Sequence, residues 1–205
     1  MKKFINVRKF KEFEENPNLG NLVEAILSID NKYYKYSSCD SDASNYNNVE
    51  QRERIFAYEL YHQWSMVKQP KLILNGELGK YIENRHIFPD MALHGGQDNY
   101  DHNEIVVEIK RESQINTKDN GLVNDLNKLS TYLIDDKSPD GAKFRSYRNA
   151  VSIIYGADDV EIKSFIINNR ESLKEINKDI IIIATPKSGV LYYSTLGKLL
   201  ETINH

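Results

Sequence analysis

At 205 residues the chain is long enough for one domain with its own core, and 40% apolar with 28% charged residues is the balance of a folded globular protein. A formal net charge of −3 excludes a protein that coats nucleic acid through bulk positive charge, although a nuclease built around carboxylates fits it. The single cysteine, Cys39, excludes an internal disulfide and a cysteine-rich zinc site.

The start, MKKFINVRKFKEFEE, is basic but lacks the apolar segment of a secretory signal. The longest apolar run, IIIIAT, is too short for a membrane span, so the expected location is the cytoplasm. Residues 1–48 are predominantly polar and read as an N-terminal extension, with a short helix over 17–28 and a Ser/Asn-rich loop at 37–48. The domain proper is expected over 49–205. It opens with a helix over 50–67, because Phe56, Leu60, Trp64 and Val67 recur at helical spacing, with Asn47 and Asn48 as caps. KLILNGEL (71–78), HIFPDMALHGG (86–96) and NEIVVEIK (103–110) read as three strands, the last two joined by a polar loop with hairpin chemistry. A helix over 120–135 carries Leu122, Leu126, Leu129 and Leu133 on one face, and AVSIIYG (150–156) is a buried strand. A helix over 158–176, the strands DIIIIATP and GVLYYS, and a short helix complete the chain. The order helix, three strands, helix, strand predicts an α/β fold with helices on a central mixed sheet.

Alternate side chains of a strand share a face, so Ile105, Val107 and Ile109 point one way and Val106, Glu108 and Lys110 the other. In the preceding strand Asp90, Ala92 and His94 share a face, and hairpin pairing brings Asp90 near Glu108. Two carboxylates from neighbouring strands, with a backbone carbonyl, suit Mg²⁺ or Mn²⁺, and an adjacent lysine can hold an attacking water. The tripeptide acid-x-Lys is not selective by itself: Asp30–Lys32, Asp135–Lys137 and Glu161–Lys163 also carry it, and Asp140 follows a proline as Asp90 does. Only Asp90, Glu108 and Lys110 lie on successive apolar strands.

These residues resemble the PD-(D/E)xK nuclease superfamily, which includes many restriction endonucleases and repair nucleases. The match runs from about residue 50 to 155, through FPD, VVEIK and the helix NDLNKLSTYL with its Asp125 and Lys128. The resemblance implies a restriction-endonuclease-like core in α-β-β-β-α-β order, with extra C-terminal elements. It implies that Asp90 and Glu108 bind Mg²⁺ or Mn²⁺ and that Lys110 works at the nucleophile. It also implies an acid from the first helix, for which Glu59 is the first choice and Glu77, in the turn LNGELGK, the competitor. The expected function is phosphodiester hydrolysis in DNA, with RNA as the other substrate and a homodimer compatible. A non-cutting module on the same fold, binding nucleic acid or a protein, is the alternative.

Other residues have plainer readings. His62 and His94 form no His-x-x-x-His pair and read as core-edge residues. The aromatic and basic stretch NKYYKYSS (31–38) reads as a solvated face, and Arg145 and Arg148 serve equally as phosphate contacts or as polar loop residues.

Overall fold

The computed structural model describes residues 2–5, 15–34, 48–77, 80–82, 85–96, 102–116, 121–134, 136–137, 143–144 and 146–202. The chain begins with β1 (Lys2–Ile5), α1 (Pro17–Ser28), α2 (Asn48–Val67) and β2 (Ile73–Gly76). Next come β3 (Lys80–Ile82), β4 (Arg85–Ile87), β5 (Met91–His94), β6 (Asn103–Arg111) and α3 (Gly121–Thr131). The later elements are β7 (Asp136–Lys137), β8 (Lys143–Phe144), β9 (Asn149–Tyr155), α4 (Asp159–Asn168) and α5 (Arg170–Leu173). The last are β10 (Ile181–Lys187), β11 (Val190–Thr195) and α6 (Leu196–Thr202).

Seven strands form one mixed sheet in the order β1-β11-β10-β9-β6-β5-β2. Strand β9 runs parallel to both β6 and β10, and the other neighbours are antiparallel. The main-sheet elements from α2 to β9 therefore follow the expected order of helix, three strands, helix, strand. The α/β class with a mixed sheet between helices is as anticipated.

The central strands β6 and β9 are buried on both faces. Ile105, Val107 and Ile109 of β6 join Val151 and Ile153 of β9 in a core covered by α1 and α2. Val106, Ala150 and Ile154 belong to a second core under α3, α4 and α6, with Leu122, Leu126 and Leu129. A strand buried on both faces is expected where parallel pairing places helices on each side. Phe56, Leu60 and Trp64 are fully buried along one face of α2, each side chain worth about 1.5–3 kcal/mol of burial. Phe56 stacks on Tyr155 with ring centroids 4.4 Å apart, tying α2 to β9.

Three sequence expectations change. The strand expected over 86–96 is two strands, broken at Phe88–Pro89–Asp90: β4 pairs with β3 in a separate hairpin and β5 joins the main sheet. Pro89 has no N–H to donate to a ladder, which accounts for the break. The helix expected over 158–176 is α4 and α5, divided at Asn169, whose amide and backbone N–H both bond to the Phe165 carbonyl. The N-terminal segment is part of the main fold: β1 pairs with β11, and α1 buries Leu19, Leu22, Val23 and Ile26 in the first core. Asn16 caps α1 by accepting from the Leu19 N–H, and Pro17 stands at its start. Asn47, Cys39 and most of the Ser/Asn-rich loop lie outside the described residues.

Candidate active site

The β5–β6 pairing sets Met91 opposite Val107, so one step further along the ladder Asp90 faces Glu108. Asp90 is fixed from both sides. Its Oδ2 accepts the Ile109 N–H at 2.6 Å, and its backbone carbonyl accepts the Glu77 N–H at 3.1 Å. On α3, Asp125 and Lys128 stand three residues apart on one face, beside the buried Leu122, Leu126 and Leu129. From there they reach the sheet: Lys128 Nζ lies 2.7 Å from Glu108 Oε1, and Lys110 Nζ lies 2.9 Å from Asp125 Oδ2. Both are charge-assisted contacts at hydrogen-bond distance between groups of opposite sign.

Glu108 is only 4% exposed, so its carboxyl is not a solvated strand-end group. Burial pushes its carboxyl well above the ordinary value, and the Asp90 charge pushes it further; Lys128 offsets part of this. Asp90 is also raised, chiefly by burial, with the Ile109 hydrogen bond and Lys128 acting against it. Burial by itself would lower the Lys110 ammonium, but the charge and contact of Asp125, followed by Glu53 and Asp90, outweigh it and raise the group. Lys110 is therefore a cation and a donor. The expected side-by-side arrangement of Asp90, Glu108 and Lys110 is present, together with Asp125 and Lys128.

The remaining candidates separate. Glu59 does not turn to this cluster; its Oε1 accepts from Gln63 one helical turn on. The α2 acid that faces the cluster is Glu53, whose charge acts on Lys110 and which lines a cleft with Asp90, Met91 and Ile109. Sequence reading overlooked Glu53. The available signal was its place three residues before Phe56, at the edge of the apolar stripe. Glu77 lines the same cleft and has φ +47°, the one non-glycine residue with positive φ among those described. His94 is buried and structural: Nδ1 accepts the Gly96 N–H, so Nε2 carries the proton and donates to Asn75 Oδ1 at 2.7 Å.

The competing acid-x-Lys motifs have local explanations. Asp30 caps a short turn by accepting from Lys32 N–H. Glu161 closes a capping box with Asp158, and Lys163 pairs with Asp159. Asp135 and Asp140 lie outside the described residues, as does Arg145. Arg148 lies 3.6 Å from Glu104, at the far end of β6 from Lys110. Tyr34 is buried on Thr185 and offers nothing to a nucleic-acid strand, its hydroxyl pushed up to about 12 by burial.

Among the described residues no three His, Cys, Asp or Glu side chains converge as a metal-holding group. The donor set that does exist is a pair of carboxylates, Asp90 and Glu108, raised by their burial and, at Glu108, by mutual repulsion. Mg²⁺ commonly takes one or two carboxylates and completes its shell with water and substrate phosphate, so this set fits a hard divalent cation. It offers no sulfur or imidazole for zinc. No protein-family model, curated protein or solved structure matches the chain.

Proposed function

We propose that the protein is a metal-dependent nuclease of the PD-(D/E)xK type that hydrolyses phosphodiester bonds, with DNA as the favoured substrate. The observation that carries the reading is the convergence of Asp90, Glu108 and Lys110 on adjoining strands, backed by the charged pair Asp125 and Lys128. The order α2–β2–β5–β6–α3–β9 supports it, since it coincides with the restriction-endonuclease-like core that the sequence resemblance implies.

Asp90 and Glu108 would hold Mg²⁺ or Mn²⁺, which supplies Lewis-acid stabilisation of the phosphate and a more acidic bound water. The chain's own residues do the rest. Asp90, locked by the Ile109 N–H, keeps one carboxylate in place without induced fit. Lys110, protonated, donates to an incoming water or to a phosphate oxygen and offsets the charge that develops there. Asp125 sets the direction of that ammonium. Lys128 pairs with Glu108, and a bound cation would take over that charge balance. Glu53 is the acid that α2 adds at the cleft.

The test is cleavage of plasmid and oligonucleotide DNA in Mn²⁺ by wild type, Asp90→Ala and Lys110→Ala. Loss in both variants, with unchanged circular dichroism, supports the assignment; activity retained in both overturns it. One observation favours the second reading, a non-cutting module. The lysines already neutralise Glu108 and Asp125 from within. Under that reading Mn²⁺ does not bind, and calorimetry separates the two.

A further inference from the structure

Beside Asp90 a cleft of about 370 Å³ opens between α2 and the edge strand β2. One wall is the stripe Arg54, Tyr58 and Tyr61, which the spacing i, i+4, i+7 places on one side of α2. Tyr61 is tethered, its hydroxyl donating to the Leu74 carbonyl at 3.0 Å. That carbonyl belongs to the edge strand of the sheet. Tyr58 lies about one turn before Tyr61, lines the cleft and is 71% exposed. The opposite wall is Gly76 and Glu77, and the floor reaches Asp90 and Ile109.

Charge limits what this cleft can hold. Arg54 is the one cation among its described lining residues, set against Glu53, Glu77 and Asp90. Duplex affinity depends on many phosphate contacts from lysine and arginine, and the cleft supplies one. Its volume is at the low end of small-molecule sites, which run from about 300 to 1,000 Å³. An exposed ring beside a phosphate-handling site matches the other way of holding nucleic acid, stacking on an unpaired base.

We propose that this cleft takes one unpaired nucleobase, stacked on Tyr58 with Arg54 against its phosphate, so that the substrate is single-stranded or frayed nucleic acid and not intact duplex. This deepens the nuclease reading and rests on it for the word substrate; base binding itself is measurable without cleavage.

The experiment uses full-length Glu108→Gln protein, so that the probe stays uncut, and fluorescence anisotropy in Mn²⁺ with labelled oligothymidylate and a blunt duplex. The expected result is tighter binding of the single strand, weakened about 5- to 150-fold by adding Tyr58→Ala, the range that one stacked base supports. Tyr58→Phe retains the affinity, because the ring and not the hydroxyl is used. Equal binding of the two probes, no change in Tyr58→Ala, or equal damage from Phe and Ala overturns the proposal. The two readings fail separately. A Tyr58-dependent single-strand preference without cleavage by wild type retires the nuclease and keeps the base subsite. Cleavage by wild type without a Tyr58 effect does the reverse.

Discussion

Glu108→Gln removes one titrating group from the interior while keeping the side chain's shape, and its effect on stability has a calculable sign. In the folded protein the Glu108 carboxyl is raised well above its usual 4.5 by burial and by Asp90. In the unfolded chain it returns to the ordinary value. Between the two values the folded state holds a proton that the unfolded state has released, so stability falls as pH rises through that window. One proton corresponds to a slope of about 1.4 kcal/mol per pH unit. Asp90 contributes in the same direction and stays in the variant. Urea denaturation without divalent ions, from pH 4.5 upward, should therefore show wild type losing stability faster than Glu108→Gln by up to that slope. Above the folded value the curves run parallel, with the variant the more stable. Parallel curves throughout the window would mean that Glu108 carries no excess proton, and the electrostatic account of the site would be wrong.

The same carboxyl groups make metal binding pH-dependent. Mn²⁺ must displace their protons, so affinity measured by calorimetry should rise with pH through the raised values, and Asp90→Ala should abolish it. In cleavage assays Glu53→Gln should lower turnover about 10-fold or more, within the range of lost charge stabilisation, while Glu59→Gln leaves it unchanged; the opposite ranking returns the helix acid to Glu59. Glu77→Gly should stabilise the protein by about 1 kcal/mol by relieving the positive φ. A lower urea midpoint in that variant would show that the Glu77 side chain contributes more than its backbone costs. Trp64→Ala should cost about 3–5 kcal/mol, read from the same unfolding curves.

Alternation along β6 was legible because a period of two assigns faces without knowledge of neighbours, and the hairpin then set Asp90 against Glu108. The role of α3 was less visible. Asp125 and Lys128 entered through family resemblance, and their pairing with Lys110 and Glu108 depends on how α3 crosses the sheet. Glu53 and Glu59 lie six residues apart on one helix, so rotation and tilt decide between them, and periodicity does not encode tilt. The pairing of β1 with β11 was hidden for another reason: its partners are at opposite ends of the sequence, and a four-residue strand, Lys2–Ile5, is too short to carry a pattern of its own. Pro89 was a readable warning, since its missing N–H argues against one strand across that position.

The sheet's division of labour has a consequence for how this architecture can change. Asp90, Glu108, Lys110, Asp125 and Lys128 come from β5, β6 and α3 or their immediate ends, and α2 adds Glu53 at the cleft. Strands β10, β11 and β1 form the opposite flank, separated from β6 by β9. Ornament can accumulate on that flank, or be exchanged there, without retuning the chemistry. The β2 margin, with its cleft, is the place where small substitutions would redirect what is accepted. The fold thus keeps one border for innovation in selectivity and another for innovation in size.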